Sequence, residues 1–393
     1  MKNPFQSGIF SSRLTIAVVL LVAGIVVGIQ SDAVKGYNNY LIFISAFDHL
    51  IHWEDLYNNY PAEHNDLYLY TPGFALFMAP FYAMPKWLGL IGWSLLSCGF
   101  FYAAVISLPG MRISKKTTLF FIVIIEFITC IQNNQTNAII VSCMVLSFFC
   151  LENKKIFWAA FFIVFGSSIK VFGLAAAILI LFYPGKGKFI LSMIFWTILI
   201  GMLPLLFVPF KQLIWQYLNW IYELLSIHKS MDHGVPHNYH PPLSVMGWLK
   251  TWFNVNIPGA YFQVGGIVLL MLAFLRTKLY HSLKFRYFVL SSIIIFTVIF
   301  NHIAESPTFV IAVFGAAIWF AWEEKNALTW TLLILMLIFT VLSPTDIFPR
   351  TIREEYVIPY VLKAVPCILI WFYIQFRIWF GEFEVMQKMN IDN

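Results

Sequence analysis

The chain has 393 residues, of which 60% are hydrophobic, 18% aromatic and only 11% charged, with 25 Lys and Arg against 19 Asp and Glu for a net charge of +6. A soluble domain carries about 25% charged residues, so the composition excludes a soluble globular enzyme, and Rossmann folds and nucleic-acid binders with it. Cys98, Cys130, Cys143, Cys150 and Cys367 lie in or at the ends of apolar runs without a C-x-x-C pair, which favours neither a disulfide framework nor a zinc site.

Apolar runs recur along almost the whole chain, and a bilayer tolerates only segments that satisfy their own backbone groups. The expected class is an all-α polytopic membrane protein, one domain over 1–393 with about twelve spans. The first run, Leu14 to Gln30, follows Lys2 and Arg13 but is not closed by an A-x-A site, so it reads as a retained span. Tyr37 to Trp53 then sets Tyr37, Tyr40, Leu41, Ile44, Phe47 and Ile51 at helical spacing, with Asn38, Ser45, His49 and His52 opposite. This pattern predicts an amphipathic helix, either in the membrane interface or packed on the bundle.

Asp55-Leu56-Tyr57 and Tyr68-Leu69-Tyr70-Thr71-Pro72-Gly73 follow, and Gly73 to Met84 carries Pro80. A proline-broken apolar piece is expected as a re-entrant or broken half-helix, which needs a protein-lined or water-filled cavity to receive its backbone. Spans are then expected at Trp87 to Leu108, Thr118 to Ile131, Thr136 to Cys150, Ile156 to Ser168, Val171 to Tyr183 and Phe189 to Val208. Gln132 to Asn137 gathers six amide or hydroxyl side chains in one turn, suited to sugar hydroxyls or a phosphate diester but also to an ordinary polar turn. Lys170 interrupts an apolar stretch, where it would snorkel to the interface or meet an anionic group such as a lipid phosphate.

Phe210 to Pro258 reads as a long loop bearing His228, Asp232, His233, His237 and His240. His233 and His237 are four apart, but Gly234 and Pro236 argue against one helix face, and no metal is expected. The last spans are Ala260 to Leu275, Tyr287 to Phe300, Phe309 to Trp322, Leu328 to Leu342 and Pro359 to Ile378. Between them lie a tight turn with His302 and Glu305, held by rigid helices, and a final loop with Arg350, Arg353, Glu354 and Glu355. Arg350 and Arg353 beside Lys363 would grip a phosphate, or pair with the neighbouring glutamates.

The basic loops at Arg112/Lys115/Lys116, Lys154/Lys155, Lys186/Lys188 and Arg276/Lys278/Lys284/Arg286 fall on one side with Lys2 and Arg13, which the positive-inside rule makes cytoplasmic. The other side holds eight of the nine histidines and twelve of the nineteen acids, so chemistry is expected on the outer face.

In this order the motifs resemble glycosyltransferase family 87, of the GT-C superfamily. The matching residues are Leu56-Tyr57, Tyr70-Thr71-Pro72, Asn134-Gln135-Thr136-Asn137, Lys170, and His302 with Glu305. The resemblance implies a GT-C-like bundle in the bacterial inner membrane with its site facing outward. It also implies transfer of a hexose, such as mannose, from a polyprenyl-phosphate donor to an acceptor hydroxyl on a glycolipid or glycan, by inversion and without cofactor or metal. The expected partners are donor, acceptor and membrane lipids, and no nucleic acid.

Lys170, Arg350, Arg353 and Lys363 would bind the donor phosphate, and Tyr70, Asn134, Gln135, Asn137, His233 and His237 the substrates. The family's loop aspartate falls on Asn39, and an amide is no general base. Asn39 is therefore expected to hydrogen-bond the sugar or acceptor, while Asp48, His302 or Glu305, or His233, takes the proton. A transporter or lipid flippase, or a polysaccharide polymerase or ligase, is the alternative reading.

Overall fold

The computed structural model describes residues 12–232 and 242–383, and among them every regular element is helical. The elements group into two compact units, one of described residues 12–120, 126–177 and 185–232, the other of 121–125, 178–184 and 242–383.

The first unit opens with α1, Arg13–Ala33, started by Ser12, whose hydroxyl accepts the Thr15 N–H at 3.1 Å. It continues with α2 (Asn38–Ile51), the short α3 (Pro72–Phe77) and α4 (Ala79–Tyr82), and α5 (Lys86–Ser107). Then come α6 (Ile113–Gln132), α7 (Asn137–Glu152), α8 (Ile156–Ile169), α9 (Lys186–Met202) and α10 (Phe210–Asp232). Gly24 and Gly28 on α1 form a small-x-x-x-small pair that lets α1 lie directly on α5. A Cβ at Gly28 would stand 2.6 Å from the Ile91 Cα, so no larger residue fits unless the helices part. α7 is buried almost all round and adjoins α5 and α8.

In the second unit run α11 (Val245–Phe253), α12 (Gly259–Leu272), α13 (Leu283–Ile299), α14 (Phe309–Trp322), α15 (Ala327–Leu335), α16 (Arg350–Ile352) and α17 (Val365–Phe380). Its core is α13 against α14 and α17, with the Trp371 indole donating to the Ser292 carbonyl at 3.1 Å. Arg377 closes a two-point pair on the buried Glu323, at 3.0 and 3.1 Å. Arg276 donates to the carbonyls of Ile378 and Trp379 at 3.1 and 2.7 Å, satisfying groups a helix end leaves open.

Among the described residues, Arg13–Ala33, Lys86–Ser107 and Lys186–Leu206 are long and apolar enough to cross a bilayer, and seven shorter apolar helices accompany them. Exposed side chains on α1 and α9 are mainly Leu, Val, Ile and Phe, such as Val18, Leu21, Ile194 and Phe195. Such apolar exteriors mark a membrane protein. Each of the twelve expected runs falls on a helical element, Val171 to Tyr183 on the 3-10 helix Val171–Phe182, although the last begins at Val365 rather than Pro359, after Val361 with φ +56.

Two expectations are corrected. Residues taken as the loop Phe210 to Pro258 include α10 and α11, because the aromatic and aliphatic residues of Phe210–Asp232 recur at helical spacing between polar ones. The buried face of α2 is also rotated from the expected one: Tyr40, Phe43, Phe47 and Leu50 face inward, and His49, assigned to the polar side, is 2% exposed. An acid and an aromatic ring meet it there, which makes its burial affordable.

Candidate active site

The polar turn between α6 and α7 is shaped by Asn134, whose φ of +52 lies in the left-handed region that asparagine tolerates well. The Trp93 indole fixes it by donating to the Asn134 carbonyl at 3.1 Å, and the Gln135 N–H donates to the Cys130 carbonyl at 3.1 Å. Asn137 caps this arrangement by donating to the Gln135 Oε1 at 3.4 Å. Its own Oδ1 accepts the Lys170 ammonium at 3.0 Å. Lys170 ends α8 in extended backbone and lies 5.9 Å from the ring centroids of both Tyr70 and Phe172. The amide and the aromatic faces direct this cation and partly replace its water.

Tyr70 reaches Lys170 because the segment 52–71 is tied on every side. The Thr71 hydroxyl donates to the Ser168 carbonyl at 2.7 Å, joining the start of α3 to the end of α8. The hydroxyls of Tyr57 and Tyr68 donate to the carbonyls of Tyr70 and Thr71 at 2.9 and 2.8 Å. From α10, Gln216 donates to the Glu54 carbonyl at 2.5 Å and accepts the Leu56 N–H at 3.2 Å, Asn219 donates to Asp55 at 3.0 Å, and Trp220 donates to the Leu69 carbonyl at 3.2 Å. Burial pushes the phenols of Tyr57 and Tyr68 well above their ordinary value, so both remain donors at any physiological pH.

Asn39 joins the same cluster: its amide donates to the Asn133 carbonyl at 2.8 Å, while the Asn134 amide donates to the Gly36 carbonyl at 3.2 Å. A carboxylate at position 39 would face that Asn133 oxygen with nothing to donate. The amide therefore ties α2 to the turn. The Asn65 N–H donates to Asn38 Oδ1 at 2.9 Å, which brings the loop bearing Asp66 onto the same first turn of α2. Asp48 stands nine residues further along α2, about 13 Å at 1.5 Å per residue, where it accepts the Tyr82 hydroxyl at 2.6 Å and neighbours His52 at 3.3 Å.

One residue beyond Asp48, His49 stacks on Tyr60 at 3.8 Å and meets Glu63 at 3.2 Å. Burial pushes the neighbouring His64 imidazole below its ordinary 6.5, against the smaller raising effects of the Asp66 backbone and Glu63. A depressed base is neutral in the folded loop and binds its proton more readily when unfolded. Its stabilising share is thus present above about pH 6.5 and is lost as pH falls from there through the lower folded value. Amide protection over residues 54–68 should drop between pH 7.5 and 5 in the parent and drop less in His64→Gln. An equal drop in both would assign the acid sensitivity to another group.

In the second unit, Lys363 is 4% exposed and donates to the Ser306 hydroxyl at 2.8 Å, next to Glu305, which caps the short turn Ser306–Thr308. The His302 ring nitrogen Nδ1 lies 3.3 Å from the Gln263 amide. Lys363, Ser306, Glu305 and His302 thus occupy one short stretch of the unit. Arg350 instead pairs with Glu354 at 2.7 Å, and Arg353 donates to the carbonyls of Pro344 and Thr345 at 3.4 Å. The glutamate pairing is realised at Arg350. His233 and His237 lie outside the described residues.

Of the expected residues, Asn39, Tyr70, Asn134, Gln135, Asn137 and Lys170 are linked in the first unit, while in the second Lys363 reaches Ser306 beside Glu305 and His302 meets Gln263. Sequence reasoning passed over the Asn65–Asp66 loop, which a long-range bond from the Asn65 N–H to Asn38 brings onto α2. It also missed Gln216 and Asn219, polar positions spaced three apart on an unrecognised helix. Glu126, fully buried in α6, was hidden inside an apolar run; an acid at that depth is a functional candidate.

The arrangement defines an all-helical membrane protein whose cations and amides collect around buried tyrosines at helix ends. The description glycosyltransferase family 87 matches residues 68–344, and the chain belongs to that family. The matched region takes in Tyr70, the Asn134 to Asn137 turn, Lys170, His302 and Glu305, and begins after Asn39 and Leu56-Tyr57. No curated protein matches the chain.

Proposed function

We propose that the protein transfers a hexose from a polyprenyl-phosphate donor to an acceptor hydroxyl on a glycolipid or glycan at the outer face of a bacterial inner membrane. The architecture we assign is GT-C-like, with about twelve membrane-crossing or re-entrant segments. The observation that carries the reading is the Lys170 ammonium, fixed by Asn137 beside Tyr70 at the end of an apolar helix.

The acceptor oxygen forms a bond to the anomeric carbon from the face opposite the phosphate, and the bond from that carbon to the phosphate oxygen breaks. The electron pair leaves with the polyprenyl phosphate, and the configuration inverts. Charge grows on the departing oxygen, and a preorganised cation is worth most in a site shielded from water. Lys170 supplies it in the first unit; Lys363 is the alternative donor-phosphate cation, in the second. Arg353 and, more weakly because of Glu354, Arg350 extend that assignment.

The acceptor proton goes to a carboxylate or imidazole within hydrogen-bond reach. We assign Asp66 as the first candidate, because its loop meets α2 at the Asn38 and Asn39 turn; Glu305, His302 and Asp48 follow. Asn134, Gln135, Asn137, His233 and His237 are proposed to contact sugar hydroxyls.

Purified protein in lipid, given polyprenyl-phosphate mannose and a total glycolipid extract, is expected to release polyprenyl phosphate and form a mannosylated lipid. Release from a nucleotide sugar with none from the lipid donor would overturn the proposal. Movement of the intact lipid donor across the bilayer without cleavage would instead establish the flippase alternative.

A further inference from the structure

At the end of the first unit away from the polar turn, Arg13, Arg112 and Lys116 line an open pocket of about 720 Å³ together with Tyr102 and Asn153. The pocket is formed where α1 and α6 begin and α5 and α7 end. Along α6 the step from Lys116 to Gln132 is sixteen residues, about 24 Å, so this place is separate from the cluster around Lys170. None of the described residues that line it is acidic.

Three cations sharing one pocket repel each other. Lys116 is the most constrained of them, at 9% exposure, with its ammonium donating to the Ile106 carbonyl at 2.5 Å. Burial and the charge of Arg13 both disfavour its ionised form. An oxyanion entering the pocket would relieve the repulsion and accept from guanidinium and ammonium donors together. Beside Arg13, α1 presents Leu14, Val18, Leu21 and Val22, each between 48% and 71% exposed. A headgroup site that continues into an apolar strip suits a ligand with a phosphate at one end and acyl chains at the other.

We infer that this pocket holds the phosphodiester headgroup of an anionic phospholipid, with the acyl chains along α1, on the membrane side opposite the candidate active site. The site is independent of which sugar donor the protein uses.

The test is made on the full chain, purified and delipidated, by native mass spectrometry and thermal stability with phosphatidylglycerol, phosphatidylcholine or inorganic phosphate. Phosphatidylglycerol should bind and stabilise the parent more than phosphatidylcholine does. Each surface cation adds about fivefold to anionic-lipid affinity, so Arg13→Gln with Arg112→Gln should weaken phosphatidylglycerol binding by about 25-fold. Lys278→Gln, a cation outside the pocket, should leave it unchanged. The double variant must first give the parent's melting behaviour in phosphatidylcholine. If it fails that control, the single variants Arg13→Gln and Arg112→Gln replace it; each should weaken binding about fivefold, and parental affinity in both overturns the assignment likewise.

Equal phosphatidylglycerol affinity in parent and double variant would overturn the assignment. So would equal stabilisation by phosphatidylcholine. Inorganic phosphate that binds as tightly as the lipid and displaces it would show a free-anion site and overturn the lipid source.

Discussion

Lys170→Ala is expected to lower single-turnover cleavage of the lipid-phosphate donor by roughly ten- to a hundredfold. A hydrogen bond from a charged donor is worth about 1.5–3 kcal/mol, and here the charge acts where negative charge develops. Asn137 directs the ammonium through its Oδ1 at 3.0 Å, so Asn137→Ala should produce the same defect at smaller size, and the double variant should fall well short of the product of the two. Lys170→Arg should not restore full rate, because a planar fork cannot take the position of a compact ammonium between two rings. Thermal stability measured alongside separates catalysis from packing. Unchanged donor kinetics in Lys170→Ala would make this lysine a structural tie between α8 and the turn.

The larger effect is expected at the proton acceptor. General-base catalysis contributes about 10²–10⁴ in rate, so Asp66→Asn should cost that much in sugar transfer while leaving donor binding nearly intact. Asn39→Ala should cost about 1 kcal/mol in stability, the usual worth of one hydrogen bond, because its amide holds the Asn133 carbonyl at 2.8 Å. Asn39→Asp restores the acidic residue of the resembled pattern but sets a carboxylate against that carbonyl oxygen, and is expected to be less stable than Asn39→Ala. Asp48→Asn, His302→Ala and Glu305→Ala complete the set under the same conditions. If Asp66→Asn keeps near-parental turnover and one of these three loses at least a hundredfold, the base lies there instead. If all retain activity, the proposed site is in the wrong place.

Local signals read correctly because they depend on few neighbours. Thr71-Pro72 starts a helix by its own hydroxyl and fixed backbone angle, and the Gln132 to Asn137 turn follows from a left-handed asparagine between two apolar runs. The face of α2 was misjudged because side-chain burial depends on what packs there. His49 looked solvent-facing until Tyr60 and Glu63 were brought to it from the following loop. α10 was hidden by its charges and polar residues, which average away an apolar signal although they sit on one side of a helix.

Taken alone, the sequence determined the class of the protein and its string of helical segments, since composition and the spacing of apolar residues act through local backbone and solvent preferences. It also supplied the motifs that place the chain among glycosyltransferases of family 87. Which of those motif residues meet was decided only in three dimensions. Lys170 and Asn137, Asn39 and Asn133, and Lys363 and Ser306 are 33, 94 and 57 residues apart in sequence, and such pairings depend on how whole helices pack. The role of Asn39 turned on this: the sequence marks it as an amide where an acid was expected, and the tertiary structure supplies a carbonyl opposite it that only a donor can satisfy.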